Sequence, residues 1–242
     1  MKVIGVIPAR YGSKRLPGKP LALIDGKPMI QWVYEKASKS NALDRVIIAT
    51  DDVRIMRTVW KFGGEAMLTS KKAKSGTDRV AEVTKKMTAD VIVNIQGDEP
   101  LISPKTIDAV VAPFKKDKRL LMSTAAVPIT GEEEAASPNN VKVVIDRYGN
   151  ALYFSRSAIP FYRNARGARR YYLHSGIYAY RRSFLLRFAK LKQMPLEQDE
   201  CLEQLRALEH GIRIRVVLVK HKSVGVDTRE DLLKVEKIIS NG

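Results

Sequence analysis

Short apolar runs alternate with amphipathic stretches along the first half of the chain, and the two periods predict strands and helices in turn. Val3 to Ile7 reads as a first strand. Pro28 to Lys39 ("PMIQWVYEKASK") is a helix with its proline in the first turn, where a missing N–H costs nothing. Arg45 to Thr50 ("RVIIAT") is the next strand, followed by a helix around Val53 to Phe62, a strand over Glu65 to Thr69 and a helix over Asp78 to Met87. Val91 to Ile95 ("VIVNI") hardly alternates, as expected of a strand covered on both faces. Another helix follows Pro104. Units in this order predict an α/β chain with a mainly parallel sheet flanked by helices.

Past about residue 120 the rhythm changes. Strands are expected at Leu121 to Val127, Val141 to Asp146, Ala151 to Phe154 and Tyr172 to Tyr180, too close together for a helix between every pair. A small β-rich, antiparallel extension is therefore expected at about 125–195, inside a single domain spanning 1–242. It holds Tyr148, Tyr153, Phe154, Phe161, Tyr162, Tyr171, Tyr172, Tyr178 and Tyr180, which suit a dimer interface as well as they suit a core. Helices resume at Gln198 to Glu209 and Arg229 to Ile239, around a strand at 212–219. Cys201, with Leu202, Leu205 and Leu208 on the first of these, is expected to pack in the core.

Composition narrows the class. Hydrophobic residues at 45% and charged residues at 29% are ordinary for a soluble protein, and no run approaches the ~20 apolar residues of a membrane span. The opening residues lack a secretory pattern, so a cytoplasmic location is the expectation. One cysteine excludes an intrachain disulfide, and His174, His210 and His221 are too scattered for zinc spacing. The net charge of +17 is concentrated: Arg147 to Leu196 holds eleven Lys or Arg and no Asp or Glu. Such a stretch points to a polyanionic partner, whether nucleic acid, an acidic membrane surface or an anionic small molecule. No nucleic-acid-binding motif is visible.

The chemistry gathers where strands end. "IPARYGSKRLPGKPL", residues 7–21, follows the first strand and so falls at the carboxyl edge of a parallel sheet, where open α/β folds bind ligands. Gly12 and Gly18 allow close backbone approach, the prolines restrict their neighbours, and Arg10, Lys14, Arg15 and Lys19 surround the turn with positive charge. This is a phosphate cradle by composition, but no Walker A loop: five residues separate Gly12 from Gly18, and Pro20 stands where Ser or Thr would hold a metal. "NIQGDEPL", residues 94–101, brings Asp98 and Glu99 to the same edge. "GVDTREDL", residues 225–232, puts Asp227 just before a helix that either it or Thr228 could cap. Two carboxylates facing a phosphate cradle suggest Mg²⁺.

Nine blocks in order, "IPARYGSKRLPGKPL", "IATDD", "SGTDR", "VNIQGDEP", "VKVVID", "ALYFSR", "HSGIYAY", "LEQLRALEHG" and "GVDTREDL", resemble those of the 3-deoxy-manno-octulosonate (Kdo) cytidylyltransferases, or CMP-Kdo synthetases. The resemblance implies a Rossmann-like nucleotide-diphospho-sugar transferase fold, a homodimer, Mg²⁺, and CMP transfer from CTP to Kdo for lipopolysaccharide assembly. It implies that Arg10, Ser13, Arg15 and Lys19 hold the CTP phosphates, with Lys19 and Arg15 acting in catalysis. Ser75, Gly76, Thr77 and Arg79 then frame the nucleotide, and Asp98 and Asp227 bind the metal and take part in catalysis. Gln96 lies beside both substrates, and Arg156, His174, Tyr178, Glu197, Gln198 and Gln204 receive the sugar acid. Arg156 and His174 fall in the acid-free stretch, which gives that excess of charge a carboxylate to receive. The sequence departs from the usual pattern at Asp199 and Cys201, beside the sugar residues. Activation of a related acid, the 8-amino analogue of Kdo or a sialic-type acid, stays open, and a basic nucleic-acid-binding protein is the reading from another class.

Overall fold

In a computed structural model the protein is described over residues 1–12, 16–129, 131–164 and 169–241. Two compact units emerge, Met1–Asp108 with Ser223–Gly242, and Ala109–Lys222. In chain order the first unit contains β1 (Val3–Ala9), β2 (Leu23–Ile24), β3 (Lys27–Pro28), α1 (Met29–Ala37), β4 (Arg45–Thr50), α2 (Val53–Lys61), β5 (Ala66–Leu68), α3 (Gly76–Lys85) and β6 (Val91–Asn94). Helix α4 (Pro104–Lys116) spans the boundary in sequence. The second unit contains β7 (Met122–Ile129), α5 (Glu132–Ala136), β8 (Lys142–Ile145), β9 (Ala151–Ser155), β10 (Tyr171–Arg181), α6 (Arg182–Phe188), α7 (Pro195–Glu200), α8 (Gln204–Glu209) and β11 (Ile214–Leu218), and α9 (Arg229–Ser240) returns to the first.

In the first unit β1 pairs in parallel with β6 on one side and β4 on the other, and β4 pairs in parallel with β5. Val3, Ile4, Val6, Ile7, Ile47, Ile48, Val91, Ile92 and Val93 are all buried, which is why these strands read as unbroken apolar runs. Since the strands share one direction, the turns after Ala9, Thr50 and Asn94 emerge at one edge. A hairpin missed by the periodicity joins β2 to β3, with Asp25 and Gly26 at φ 50° and 74°. Asp-Gly is the dipeptide such a turn prefers, so the signal was present in the sequence. Ile24 of this hairpin packs with Met29, Val226 and Val235 in a buried cluster, and that packing returns the C-terminal helix α9 to the start of α1.

The second unit has the antiparallel character expected of it: β10 pairs antiparallel with β7 and β8, β8 pairs antiparallel with β9, and only β11 joins β7 in parallel. Its aromatics divide between core and surface. Phe154, Tyr171 and Tyr180 are buried, with Tyr180 against Phe184 and Phe188 of α6, whereas Tyr148 and Phe161 are exposed. The continuous helix expected over Gln198 to Glu209 is instead two short ones. Cys201 ends α7 in a left-handed conformation, φ 51°, which breaks the helical path before α8 begins. Cys201 is therefore exposed and not in the core, and Leu202 and Leu205 are the residues that go inside.

Candidate active site

A cleft of about 640 Å³ opens at the carboxyl edge of the first unit's sheet. Its floor is set by the loop after β1. Gly18, at φ 69°, donates its N–H to the Tyr11 carbonyl at 3.1 Å and closes the loop. A single 3₁₀ turn over Lys19–Leu21 follows, with Pro20 inside it, and turns Lys19 inward until it is only 9% exposed. The Lys19 ammonium donates to Asp98 Oδ2 at 2.6 Å and to Asp227 Oδ1 at 3.0 Å. The Arg54 guanidinium lies 3.4 Å from the centre of the Tyr11 ring and so braces the other side of the loop.

Two backbone devices bring the aspartates to one cation across most of the chain's length. A Cβ on Gly97 would stand 2.7 Å from the Pro8 carbonyl oxygen, so only glycine lets the turn after β6 lie over the end of β1. The Val226 N–H then donates to the Asp98 carbonyl at 2.9 Å and ties the two acid-bearing turns together. Thr228, not Asp227, caps α9: its hydroxyl accepts from the Asp231 N–H, and Asp231 accepts from the Thr228 N–H in return. Asp227 is left to face Lys19. Both carboxylates are partly exposed, at 38% and 50%. Among the described residues no three acids, imidazoles or thiols gather as a complete cage. One or two carboxylates, completed by substrate oxygens and water, is the donor set Mg²⁺ takes, and the pair fits it. Burial, and next the charge of Asp98, push the Glu99 carboxyl up to about 7, so below that pH it is largely protonated and adds little charge to this edge.

The wall of the cleft is the start of α3. Ser75 caps it, accepting from the Asp78 N–H at 3.1 Å and donating its own N–H to the Asp78 carboxylate at 3.1 Å. Asp78 of "SGTDR" is thus a capping residue. The positive end of a ten-residue helix faces the cleft through Ser75 and Gly76, which favours an anionic guest. Arg79 also lines the cleft, but its guanidinium pairs with Asp51 at 2.8 Å and donates to the Thr69 hydroxyl, locking α3 to the segments after β4 and β5.

Of the residues singled out for the nucleotide and metal, Arg10, Lys19, Ser75, Gly76, Arg79, Gln96, Asp98 and Asp227 line this one cleft. Thr77 is buried and does not line it. Ser13 and Arg15 lie outside the described residues. Lys74, an exposed cation at the mouth, was missed; the lysine-rich run just ahead of the helix cap was the signal.

In the second unit the residues singled out for the sugar acid are engaged by their own neighbours. Glu197 is buried and accepts two hydrogen bonds from the buried Arg206, one of them from Nε at 2.6 Å. Arg156 donates Nε–H to the Glu200 carbonyl at 2.8 Å and Nη1–H to the Pro138 carbonyl at 3.0 Å. His174 lies 3.0 Å from the Thr124 hydroxyl, with its ring against Phe154 and Tyr178. Burial lowers its pKa to about 3, so the imidazole is neutral and adds no charge to the acid-free stretch. Burial, and next the charge of Glu203, push the Tyr178 phenol well above its usual value. A bulge in β10 between Ser175 and Tyr178 turns the strand between these two side chains. Gln204 is buried and Gln198 is exposed.

Comparison with known proteins identifies the family. The family model described as cytidylyltransferase matches residues 4–214. The 3-deoxy-manno-octulosonate cytidylyltransferase of Fusobacterium nucleatum is 51% identical over 97% of this chain and 96% of its own length, and that of Pelobacter propionicus is 51% identical over 98% and 97%. A solved CMP:2-keto-3-deoxy-manno-octonic acid synthetase, complexed with CTP, superposes with a TM-score of 0.96 at 47% identity, covering 100% of this chain and 99% of its own. A cytidylyltransferase from Leptospira borgpetersenii, at 20% identity and a TM-score of 0.66 over 100% of this chain and 88% of its own, shares the fold. The chain belongs to the family of the 3-deoxy-manno-octulosonate cytidylyltransferases.

Proposed function

We propose that the protein transfers CMP from CTP to 3-deoxy-D-manno-octulosonate and releases pyrophosphate, giving CMP-Kdo for lipopolysaccharide biosynthesis. One observation carries the chemistry: a buried lysine bridges two aspartates at the floor of a cleft whose wall is a helix N-terminus. The relatives' shared activity supplies the substrates. The anomeric hydroxyl attacks the α-phosphorus in line, forming the new P–O bond as the bond to pyrophosphate breaks. Catalysis of this kind is chiefly positioning and neutralisation of charge.

Arg10 and the start of α3 hold the phosphates, and Lys19, with Arg15, stabilises the charge that builds on departing pyrophosphate. Asp98 and Asp227 would hold Mg²⁺, which would supply neutralisation of charge on the phosphate oxygens. No histidine lines the cleft among the described residues, so the hydroxyl proton passes to an aspartate oxygen or to water. Arg156 receives the carboxylate of the sugar acid, while neutral His174 and Tyr178 contribute hydrogen bonds. The reading includes a homodimer in the cytoplasm. The exposed Tyr148, Leu152 and Phe161 of the second unit support the dimer, and no helix among the described residues is long and apolar enough to cross a membrane.

The test is pyrophosphate release with Mg²⁺, each nucleoside triphosphate in turn, and a panel of sugar acids. Release with CTP and Kdo, well above that with ATP, GTP or UTP and above that with the 8-amino and sialic-type acids, is the expected outcome. Preference for another acid or another nucleotide overturns it.

A further inference from the structure

Lys142 is completely buried in β8, and its ammonium touches no carboxylate oxygen among the described residues. It donates to three backbone carbonyls: Ser137 at 3.0 Å, Asn140 and Arg156. A lysine has three N–H donors, so this one is fully spent. Burial lowers its pKa, and a methionine of similar length would fill the space without that cost. The compensating gain is found where the β8–β9 ladder stops. Lys142 pairs with Ser155, the last residue of β9, so the Arg156 carbonyl lies one residue past the strand.

The other side of the same residue is held by an acid. Glu200, at the end of α7, accepts from the Arg156 N–H at 2.9 Å and from the Ser155 hydroxyl at 2.5 Å, while the Glu200 carbonyl accepts from Arg156 Nε. Arg156 is thus gripped at its N–H by a carboxylate and at its C=O by an ammonium. Hydrogen bonds to charged groups are the stronger kind, and two of them on one residue fix its backbone and the origin of its side chain.

We infer that Lys142 and Glu200 are positioning residues, which hold Arg156 at both its N–H and its C=O so that its guanidinium is presented in one orientation to an anionic substrate. This rests on the assignment of Arg156 to the sugar acid, and the experiment separates the two. Glu200→Ala and Lys142→Met each raise KM for Kdo about tenfold, with KM for CTP within about twofold, as expected for the loss of one charged hydrogen bond. Glu200→Gln, whose single amide oxygen can accept from the Arg156 N–H while its NH₂ donates to the Ser155 hydroxyl, recovers part of the loss. Amide hydrogen exchange at Arg156 and Ser157 reads the grip directly and accelerates in Glu200→Ala.

An unchanged KM for Kdo in both variants, while Arg156→Lys raises it, overturns the inference. So does an equal rise in KM for both substrates together with a broadened melt, which marks general packing. If Arg156→Lys leaves KM for Kdo alone, the assignment of Arg156 falls; accelerated exchange then still upholds the grip, and unchanged exchange overturns it. Should Lys142→Met fail to fold, the Glu200 pair of variants decides.

Discussion

The two units use charge in opposite ways. In the first, Lys19, Asp98 and Asp227 satisfy one another, yet the two carboxylates keep a third to a half of their surface open to the cleft. In the second, Glu197 and Arg206 are both buried, Lys142 is enclosed by carbonyls, and His174 is neutral. A motif resemblance weights all these residues alike. Exposure distinguishes the carboxylates of Asp98 and Asp227, which can meet a ligand, from Glu197 and Lys142, which are closed off and hold their neighbours in place, and the two classes should fail differently when altered.

The sharpest test is Lys19→Met, which should cut kcat by about 10³-fold with little change in the melting transition; a collapsed melt would place Lys19 with the supporting charges of the second unit. Next, Glu197→Ala removes the buried carboxylate that accepts two hydrogen bonds from Arg206, leaving it the more distant Glu203 at 3.6 Å, and should cost about 3 kcal/mol in urea unfolding. If stability instead holds and only KM for the sugar acid rises, Glu197 is a ligand and the contrast breaks. Gly97→Ala forces the turn off Pro8 and should cost about 2 kcal/mol while reducing turnover, since the same turn carries Asp98. Thr228→Ala removes one cap and should cost about 1 kcal/mol by thermal melting, leaving Asp227 on Lys19.

The last test, whose effect is small near neutrality, concerns pH. His174 has a folded pKa of about 3 against an ordinary 6.5, so its contribution to stability is complete above 6.5. As pH falls from there toward 3 the unfolded chain binds a proton that the folded chain refuses, and stability declines across that window. His174→Gln should flatten that part of the stability profile, and the kcat profile through neutrality should carry no imidazole step; a step near 6.5 lost in His174→Gln would contradict the neutral assignment.

Much of this was legible in the chain. The parallel strands of the first unit are doubly covered, so their apolar runs are continuous and their ends nearly coincide with those expected from the sequence. Lys19 and Asp98 could be placed at one edge because strand direction alone puts their turns there, whereas Asp227, which follows no strand of that unit, was joined to them only by the resemblance. What escaped reading depends on contacts between segments distant in sequence, or on backbone choices that hydrophobic period does not encode. Helix α6 is only seven residues long, and α5 five, so neither builds a full periodic signal. The break at Cys201 needs a left-handed non-glycine residue, which no apolar pattern announces. Nothing in "VKVVID" marks Lys142; only the fold shows three carbonyls turned toward it.

The bridge between Lys19 and the two aspartates gives the catalytic floor a tethered counter-ion of its own. Repulsion between two neighbouring anions is relieved by the polypeptide itself.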